Sequence, residues 1–392
     1  MNPKDLLAIA TPNQFPSRRK LTVISVCGAT GRRFRMKQES QLVQIILRAL
    51  PSNASSRSGL PRLSPQSTKA ALEDRHRSAT RRKSSVARLG PGDDAAILSP
   101  SGETDWVLSC DAFIEGVHFL AKTHPPDSIG YKSLARATSD LAAMGATPRY
   151  FLLTLGLPKS RTSKWLGSFL KGMARASREL GILIIGGDTT SSSAIAISIT
   201  VLGEVTPGQA VQRAGAKMGD LIYVSGKLGR AQLGLELVLA GFAREPKFRS
   251  EVQPHLYPKV KTDLGTWLAK NDVATAMMDI SDGLSTDLAR LCAASGVGAK
   301  IYANKIPGLT IPPAVFKKLR NRKLDPLQMA LHGGEDYELL FTVSPSQARR
   351  LRRAPNSSAL TMIGEITKNE NQTLIDGAGK KSPLRPLGWD PF

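Results

Sequence analysis

The sequence predicts a mixed fold, α/β or α+β, built from two comparable halves that meet near residue 210. From Leu89 onward, apolar runs alternate with segments of helical spacing, and Gly, Asp or Pro bounds nearly every run. The chain has 392 residues, of which 41% are hydrophobic, so it carries enough apolar material for a core. At roughly 100–200 residues per domain, we expect two or three structural units.

The first half, residues 89–209, alternates strands with two helices. A cap at Asp127 or Ser128 starts the first helix and Gly145 ends it. Continuous apolar runs predict buried strands, whereas the last strand alternates apolar with polar residues. The predicted strands are Trp106–Ser109, Tyr150–Leu157, Ile182–Ile185 and Ala194–Leu202, and the predicted helices are Ser128–Gly145 and Ser163–Leu180.

The second half, residues 210–392, repeats this mixture after a Pro207-Gly208 turn. Short apolar runs again predict strands, and runs of helical spacing predict helices between them. The predicted strands are Leu221–Ser225, Ala274–Met278, Ala299–Tyr302 and Glu338–Val343, and the predicted helices are Ala231–Ala240, Leu264–Ala269 and Leu284–Ala294.

Residues 1–88 differ from the rest and predict a basic, largely disordered extension. A helix is predicted only at residues 38–50, where Leu42, Ile45, Ile46 and Leu50 have helical spacing. The following stretch is rich in Ser, Arg and Pro and poor in large apolar residues. Its Arg-rich composition resembles a transit peptide, but an over-long start with Met36 as the true one, or a lineage-specific tail, is the better interpretation.

Charge and composition exclude several classes of protein. Residues 1–90 hold 18 Lys/Arg and 4 Asp/Glu, so +14 of the net +22 belongs to the extension. Nucleic acid is therefore not the expected partner, because a binding face needs its charge on a fold. No run of about 18 apolar residues predicts a membrane span. Three scattered cysteines exclude a disulfide framework and favour a reducing, cytoplasmic location.

Acidic residues follow or interrupt apolar runs at five places. Such clusters are costly because like charges repel, and a divalent cation removes that cost. Mg²⁺ prefers oxygen ligands and commonly sits between carboxylates and substrate phosphates. For each Asp taken singly, a turn or helix cap is the more common role. The five sites are Gly92-Asp93-Asp94, Ser109-Cys110-Asp111, Ser139-Asp140, Gly186–Thr190 and Asp279–Gly283.

Other phosphate-binding signatures are missing from the sequence. It has no GxxxxGK[ST] motif and no set of protein-kinase motifs. The Gly28–Gly31 turn lacks the third glycine of a dinucleotide fingerprint, and Ser225–Gly229 alone is a weak nucleotide signal. The last acidic motif opens a predicted helix, which Ser281 or Asp282 would cap.

Taken together, the motifs resemble the thiamine-monophosphate kinase family in order and spacing, over about residues 88–392. The family is part of the aminoimidazole ribonucleotide synthetase superfamily. The segments that carry the resemblance are Gly90–Leu98 (GPGDDAAIL), Cys110–Phe119 (CDAFIEGVHF), Gly130–Gly145 (GYKSLARATSDLAAMG), Gly186–Thr190 (GGDTT), Asp279–Leu288 (DISDGLSTDL) and Gly333–Glu338 (GGEDYE).

The resemblance implies a fold, an activity and a set of site residues. It implies an N-terminal metal-binding, ATP-binding and dimerisation domain (residues 89–209), a C-terminal α/β domain (residues 210–392) and a homodimer. It also implies ATP- and Mg²⁺-dependent phosphorylation of thiamine monophosphate to thiamine diphosphate, with several magnesium ions. By position, metal ligands are Asp94, Ser109, Cys110, Asp111, Asp140, Asp188, Asp279 and Asp282; ATP contacts are Gly187, Arg213 and Ser281; and substrate contacts are His118, Glu335 and Trp389.

One departure from the family pattern bears on the metal site. Cys110 stands where Thr is usual, and a thiol is a poor Mg²⁺ ligand, so only its backbone carbonyl is expected to contribute. No covalent nucleophile is expected, since a phosphate oxygen of the substrate can attack the γ-phosphorus directly. Two alternatives stay open: another ATP-dependent enzyme of the superfamily, and a basic nucleic-acid-binding protein.

Overall fold

The computed structural model describes residues 87–89, 93–99 and 102–390. The predicted helix at residues 38–50 and residues 1–86 of the predicted extension lie outside this range. Ala87–Leu89 form a strand of the first sheet, so this sheet includes residues before the predicted boundary at residue 89. Among the described helices, none is long and apolar enough to span a bilayer.

Two β-sheets, one in each half of the chain, organise the fold. The first has six strands in the order β1-β2-β3-β6-β4-β5, and only β4 and β5 pair in parallel. Two helices cover one of its faces. The strands are β1 (Ala87–Leu89), β2 (Ala96–Leu98), β3 (Asp105–Ile114), β4 (Thr147–Leu157), β5 (Leu183–Ser191) and β6 (Ala196–Val205), and the helices are α1 (Pro126–Ala143) and α2 (Lys164–Leu180).

The second sheet has seven strands in the order β13-β12-β9-β11-β7-β10-β8, and only β12 and β9 pair in parallel. Its strands are β7 (Leu221–Ser225), β8 (Ala276–Ile280), β9 (Gly298–Tyr302), β10 (Glu338–Val343), β11 (Leu360–Thr367), β12 (Gln372–Ile375) and β13 (Lys381–Pro383). The helices are α3 (Arg230–Leu239), α4 (Arg249–Leu256), α5 (Thr262–Lys270), α6 (Leu284–Ser295), α7 (Pro313–Lys318) and α8 (Pro326–His332).

The predicted mixed fold with two halves is confirmed, and most predicted elements form within a few residues of their expected bounds. Three local predictions were wrong. Helix α1 begins at Pro126, so neither Asp127 nor Ser128 caps it. The predicted strand at Ile182–Ile185 continues through the glycines to Ser191, so the Gly186–Thr190 motif lies within β5 rather than after it. The prediction that Ser281 or Asp282 caps α6 was also wrong. Instead, the carboxylate of Asp287, inside the helix, accepts hydrogen bonds from the backbone N–H groups of Asp282 and Gly283, each at 3.0 Å.

Helix α1 lies at the centre of the molecule because it contacts both halves. Its C-terminal end packs against α5, where a Cβ at Gly265 would lie 2.0 Å from the carbonyl oxygen of Ala142. Only glycine permits this approach. Ala142 and Ala143 share a buried cluster with Leu268 and Met277 of the second half. Residues of α1 are thereby fixed relative to the end of β8.

Candidate active site

Three buried or partly buried carboxylates converge where the two halves meet. Asp94 follows β1, Asp140 lies near the end of α1, and Asp279 is the penultimate residue of β8. One oxygen of each lies within 4.8 Å of the others. Three elements far apart in sequence therefore bring together three of the predicted metal ligands.

Burial and mutual repulsion raise the pKa values of two carboxyl groups in this three-carboxylate cluster. Burial, and next the charge of Asp94, raises the pKa of Asp279 to about 7. Burial and the nearby Asp279 likewise raise the pKa of Asp140 well above its usual value. Arg213 pairs with Asp94 at 2.6 Å, yet the other oxygen of Asp94, Oδ2, is buried without a hydrogen-bond partner in the described part of the chain.

The donor set of the cluster fits a hard divalent cation. All of its candidate ligands are oxygens, which suits Mg²⁺. The Ser109 hydroxyl donates to Asp140, and the Ser139 hydroxyl donates to Oδ2 of Asp279 at 2.6 Å. The orphaned Asp94 oxygen and the raised pKa values both indicate that a cation bound at this cluster would be stabilised.

Strand β3 presents Ser109 and Asp111 on the face that α1 covers, because alternate residues of a strand share a face. Asp111 is held by Arg136 of α1 through hydrogen bonds of 2.6 and 3.2 Å. Cys110 points to the opposite face, where it is exposed and its Sγ lies 3.5 Å from the Ser198 hydroxyl. This geometry agrees with the expectation that the thiol is not a metal ligand.

The remaining predicted metal and ATP residues lie around this cluster or at the sheet edge. Asp282 follows β8 and pairs with Arg290 of α6. Asp188 and Gly187 lie in β5, an edge strand exposed along its whole length. That strand is three strand spacings from β3, or about 14 Å. Among the described residues, Asp188 therefore does not join the three carboxylates, and its ligand role stays a prediction.

The structure brings two of the predicted substrate residues into contact across the two halves. The ring centroids of His118 and Trp389 lie 5.7 Å apart. Trp389 donates its backbone N–H to the carbonyl of Asp282 at 3.0 Å, which ties it to the end of β8. Burial, then the charge of Arg136, lowers the pKa of His118 to about 4.

Glu335, the third predicted substrate residue, also lies beside the end of β8. Its backbone N–H donates to the carbonyl of Ser281 at 2.7 Å. Its side chain contacts Lys132 at 2.8 Å and His255 at 3.2 Å. The φ of Glu335 is +67°, which is uncommon for a residue other than glycine and often marks a functional site.

Sequence reasoning missed three residues that hold this site together: Lys132 and Arg136 of α1 and His255 of α4. It named Ser139 and Asp93 only as members of acidic motifs, without a role of their own; Asp93 accepts from the backbone N–H of Arg213 at 3.1 Å. A signal existed for Lys132 and Arg136, since these two cations occur four positions apart in a helix made mostly of small and apolar residues. His255 had no such signal, because α4 itself was not predicted.

Family models and proteins of known function match most of this chain. Residues 92–205 match the family model described as AIR synthase related protein, N-terminal domain, and residues 217–377 match the corresponding C-terminal domain. The chain is 38% identical to the thiamine-monophosphate kinase of Synechococcus elongatus, over 71% of this chain and 84% of that protein. The chain belongs to the thiamine-monophosphate kinase family.

Further members of the thiamine-monophosphate kinase family match at similar levels. The Bacillus subtilis enzyme is 32% identical over 78% of this chain and 93% of its own length. A solved structure, described as AaThiL complexed with AMPPCP and TMP, superposes with a TM-score of 0.66 at 33% identity. It covers 77% of this chain and 91% of that one, so both sheets of the fold are shared with a family member of known structure.

Proposed function

We propose that this chain, a kinase by family, transfers the γ-phosphoryl group of ATP to the phosphate of thiamine monophosphate and so forms thiamine diphosphate. The family membership supports this activity, as does the AaThiL complex with an ATP analogue and TMP. The observation that carries the proposal is the three-carboxylate cluster beside the His118–Trp389 pair. A site for a cation that binds phosphates thereby adjoins a pair of rings suited to a flat heterocycle.

Mg²⁺ is the cation that we assign to the cluster. Asp94, Asp140 and Asp279 would hold it. Ser109, whose hydroxyl donates to Asp140, and Asp282, three residues after Asp279, are proposed as additional ligands. When bound, Mg²⁺ would neutralise negative charge on the phosphates during transfer. Asp111, Asp188 and the carbonyl of Cys110 are proposed ligands of further ions.

The acceptor phosphate needs no strong base. Its second pKa is near 6, so it is already an anion at neutral pH. His118, with a pKa of about 4, is neutral at that pH, so we assign it to binding rather than to proton transfer. With Trp389 it would hold the substrate rings, while Arg213, Gly187 and Ser281 are proposed to contact ATP.

We also propose a homodimer formed through the first sheet. The face of that sheet opposite α1 and α2 and its edge strand β5 are open in the single chain. Leu183, Ile184 and Ile185 are 62, 57 and 55% exposed, and Leu152 of the adjacent β4 is 38% exposed. An apolar edge strand of this kind favours pairing with a second copy.

The scattered cysteines support a cytoplasmic location.

The test is turnover by the purified chain with ATP, MgCl₂ and thiamine monophosphate. We expect ADP release that depends on thiamine monophosphate, with thiamine diphosphate as the second product by chromatography. Thiamine, which lacks the acceptor phosphate, is the matched control and should support no transfer. ADP release that is the same with and without thiamine monophosphate would exclude this activity.

A further inference from the structure

An ion pair between a buried lysine and a partly buried glutamate connects the two halves of the molecule beside the proposed substrate site. Lys132 of α1 is 2% exposed, and its Nζ lies 2.8 Å from Oε1 of Glu335. A buried ammonium is costly unless a carboxylate compensates it, so the two groups depend on each other. Burial alone would raise the pKa of Glu335, but Lys132 and His255 lower it well below its usual value. Glu335 is therefore an anion held by this chain's own cation.

Two histidines extend the pair. Nδ1 of His255 lies 3.2 Å from Oε2 of Glu335, and its Nε2 lies 3.0 Å from Nε2 of His124. Nδ1 of His255 also lies 3.2 Å from Nζ of Lys132, so this ring contacts both members of the ion pair. Burial lowers the pKa of both rings, so both are neutral. The second oxygen of Glu335 is thereby occupied as well.

The loop that carries Glu335 is fixed to the second half at residues that follow Glu335. Asp336 accepts from the backbone N–H groups of Gly229 and Ala231, at 2.6 and 3.0 Å. Glu338 accepts from the Ser225 hydroxyl at 2.6 Å. The Glu335 side chain reaches Lys132 of α1 from this loop, and it does so from a left-handed backbone conformation.

Helix α1 connects this ion pair to Asp111 and to Asp279 of the three-carboxylate cluster. Lys132, Arg136 and Ser139 are spaced i, i+4 and i+7 and so share one face of the helix. In turn they contact Glu335, Asp111 and Asp279. One rigid face therefore sets the spacing between the substrate residue and the three-carboxylate cluster.

We propose that Lys132, backed by His255, is a positioning residue for thiamine monophosphate: it fixes the Glu335 carboxylate against the His118–Trp389 pair. The inference rests on the proposed function, since it takes thiamine monophosphate as the occupant. Lys132 does not touch the substrate in this role and acts through Glu335. Its loss should weaken binding of thiamine monophosphate while ATP binding is preserved.

The experiment compares Lys132→Met with Arg322→Met in the full chain. Arg322 pairs with Glu236, which is 4% exposed, in the second half, so its loss also breaks a largely buried ion pair. In the described structure neither residue has a hydrogen bond or ion pair with a predicted site residue. For Lys132→Met we expect KM for thiamine monophosphate to rise at least tenfold and KM for ATP to change less than about twofold. Arg322→Met should lower the melting temperature and leave both KM values unchanged.

The double variant Lys132→Met/Glu335→Gln keeps the test decisive if the single variant folds poorly, because it removes both charges. We expect it to melt closer to wild type than Lys132→Met does, with the same KM for thiamine monophosphate as Glu335→Gln alone. Equal rises in both KM values, or a fall in melting temperature alone, would make Lys132 a purely structural residue and overturn the inference. If the increases in KM for thiamine monophosphate of the two single changes add up in the double variant, the inference is also overturned.

Binding by calorimetry separates this inference from the proposed function. If wild type binds thiamine monophosphate without phosphorylating it, the proposed function fails, and the inference is judged by the dissociation constants of the same variants. If wild type phosphorylates it and Lys132→Met has unchanged KM and dissociation constant, only the inference fails. If wild type neither binds nor phosphorylates it, both are overturned.

Discussion

Helix α1 and strand β5 carry the same kind of sequence signal and have opposite environments. Asp140 lies on the inner face of α1, hydrogen-bonded by Ser109 and within 4.8 Å of two other carboxylates. Asp188 lies on an edge strand exposed along its whole length, and its carboxylate accepts only from its neighbour's backbone N–H, at 2.8 Å, within the described residues. A sequence motif therefore predicts that an acidic residue is present, but the packing of its helix or strand decides whether that residue joins a cluster.

The largest expected effect is that of Asp140→Asn. Losing one carboxylate of the cluster should reduce kcat by about a hundredfold or more, in line with the loss of one charge-stabilising group at a phosphoryl-transfer site. The same change should not lower the melting temperature of the metal-free protein, because it removes a buried charge that Asp279 and Asp111 repel.

The matched control is Asp127→Asn, on the same helix. Asp127 accepts a hydrogen bond from the Tyr257 hydroxyl at 2.6 Å and lies outside the cluster. Steady-state kinetics with thermal melts of both variants would measure the difference. Near-normal kcat for Asp140→Asn at saturating Mg²⁺ would remove the cluster from the proposed mechanism.

The second prediction concerns β5. Ile184→Glu should convert the proposed dimer to monomer without unfolding the chain, because Ile184 is 57% exposed in the single chain. Leu170→Glu is the control, since Leu170 is 45% exposed on α2, away from the open sheet face. Light scattering would measure both masses. A dimer that persists in Ile184→Glu would place the interface elsewhere.

The third prediction concerns the response of the cluster to pH. The pKa of Asp279 is about 7 in the folded chain, above its unfolded value, so this group favours folding most below the unfolded pKa, and that contribution is lost as pH rises to 7. Bound Mg²⁺ should offset the loss. We expect Mg²⁺ to raise the melting temperature more at pH 8 than at pH 5, by several degrees. An equal shift at both pH values would contradict this.

The smallest effect is expected for Cys110→Ala. Its thiol points away from Ser109 and Asp111, so kcat and the Mg²⁺ requirement should change less than about threefold. Ser109→Ala, one residue away on the inner face, removes the hydrogen bond to Asp140 and should have the larger effect. Titrating activity with Mg²⁺ compares the two variants. A complete loss in Cys110→Ala would assign the thiol a role of its own.

The sequence alone determined the two-part α/β fold, the family and most of the acidic residues of the site. These signals are local: periodic apolar runs specify strands and helices, and glycine–acid motifs have a recognisable order and spacing. Asp94, Asp140 and Asp279 came from such motifs, and the structure brings them together. Gly187 and Asp188 came from the same kind of motif, but the sequence did not predict that both would lie within the exposed edge strand β5.

Only the tertiary structure decided which residues surround and orient that site. Lys132 and His255 are 123 positions apart and meet at Glu335 because α1 packs against the second half, with Gly265 permitting the close approach. The rings of His118 and Trp389 meet through the same packing, since Trp389 is anchored to the end of β8. Contacts between elements depend on how whole helices and sheets bury their apolar faces against each other, and no local pattern in the sequence encodes that arrangement.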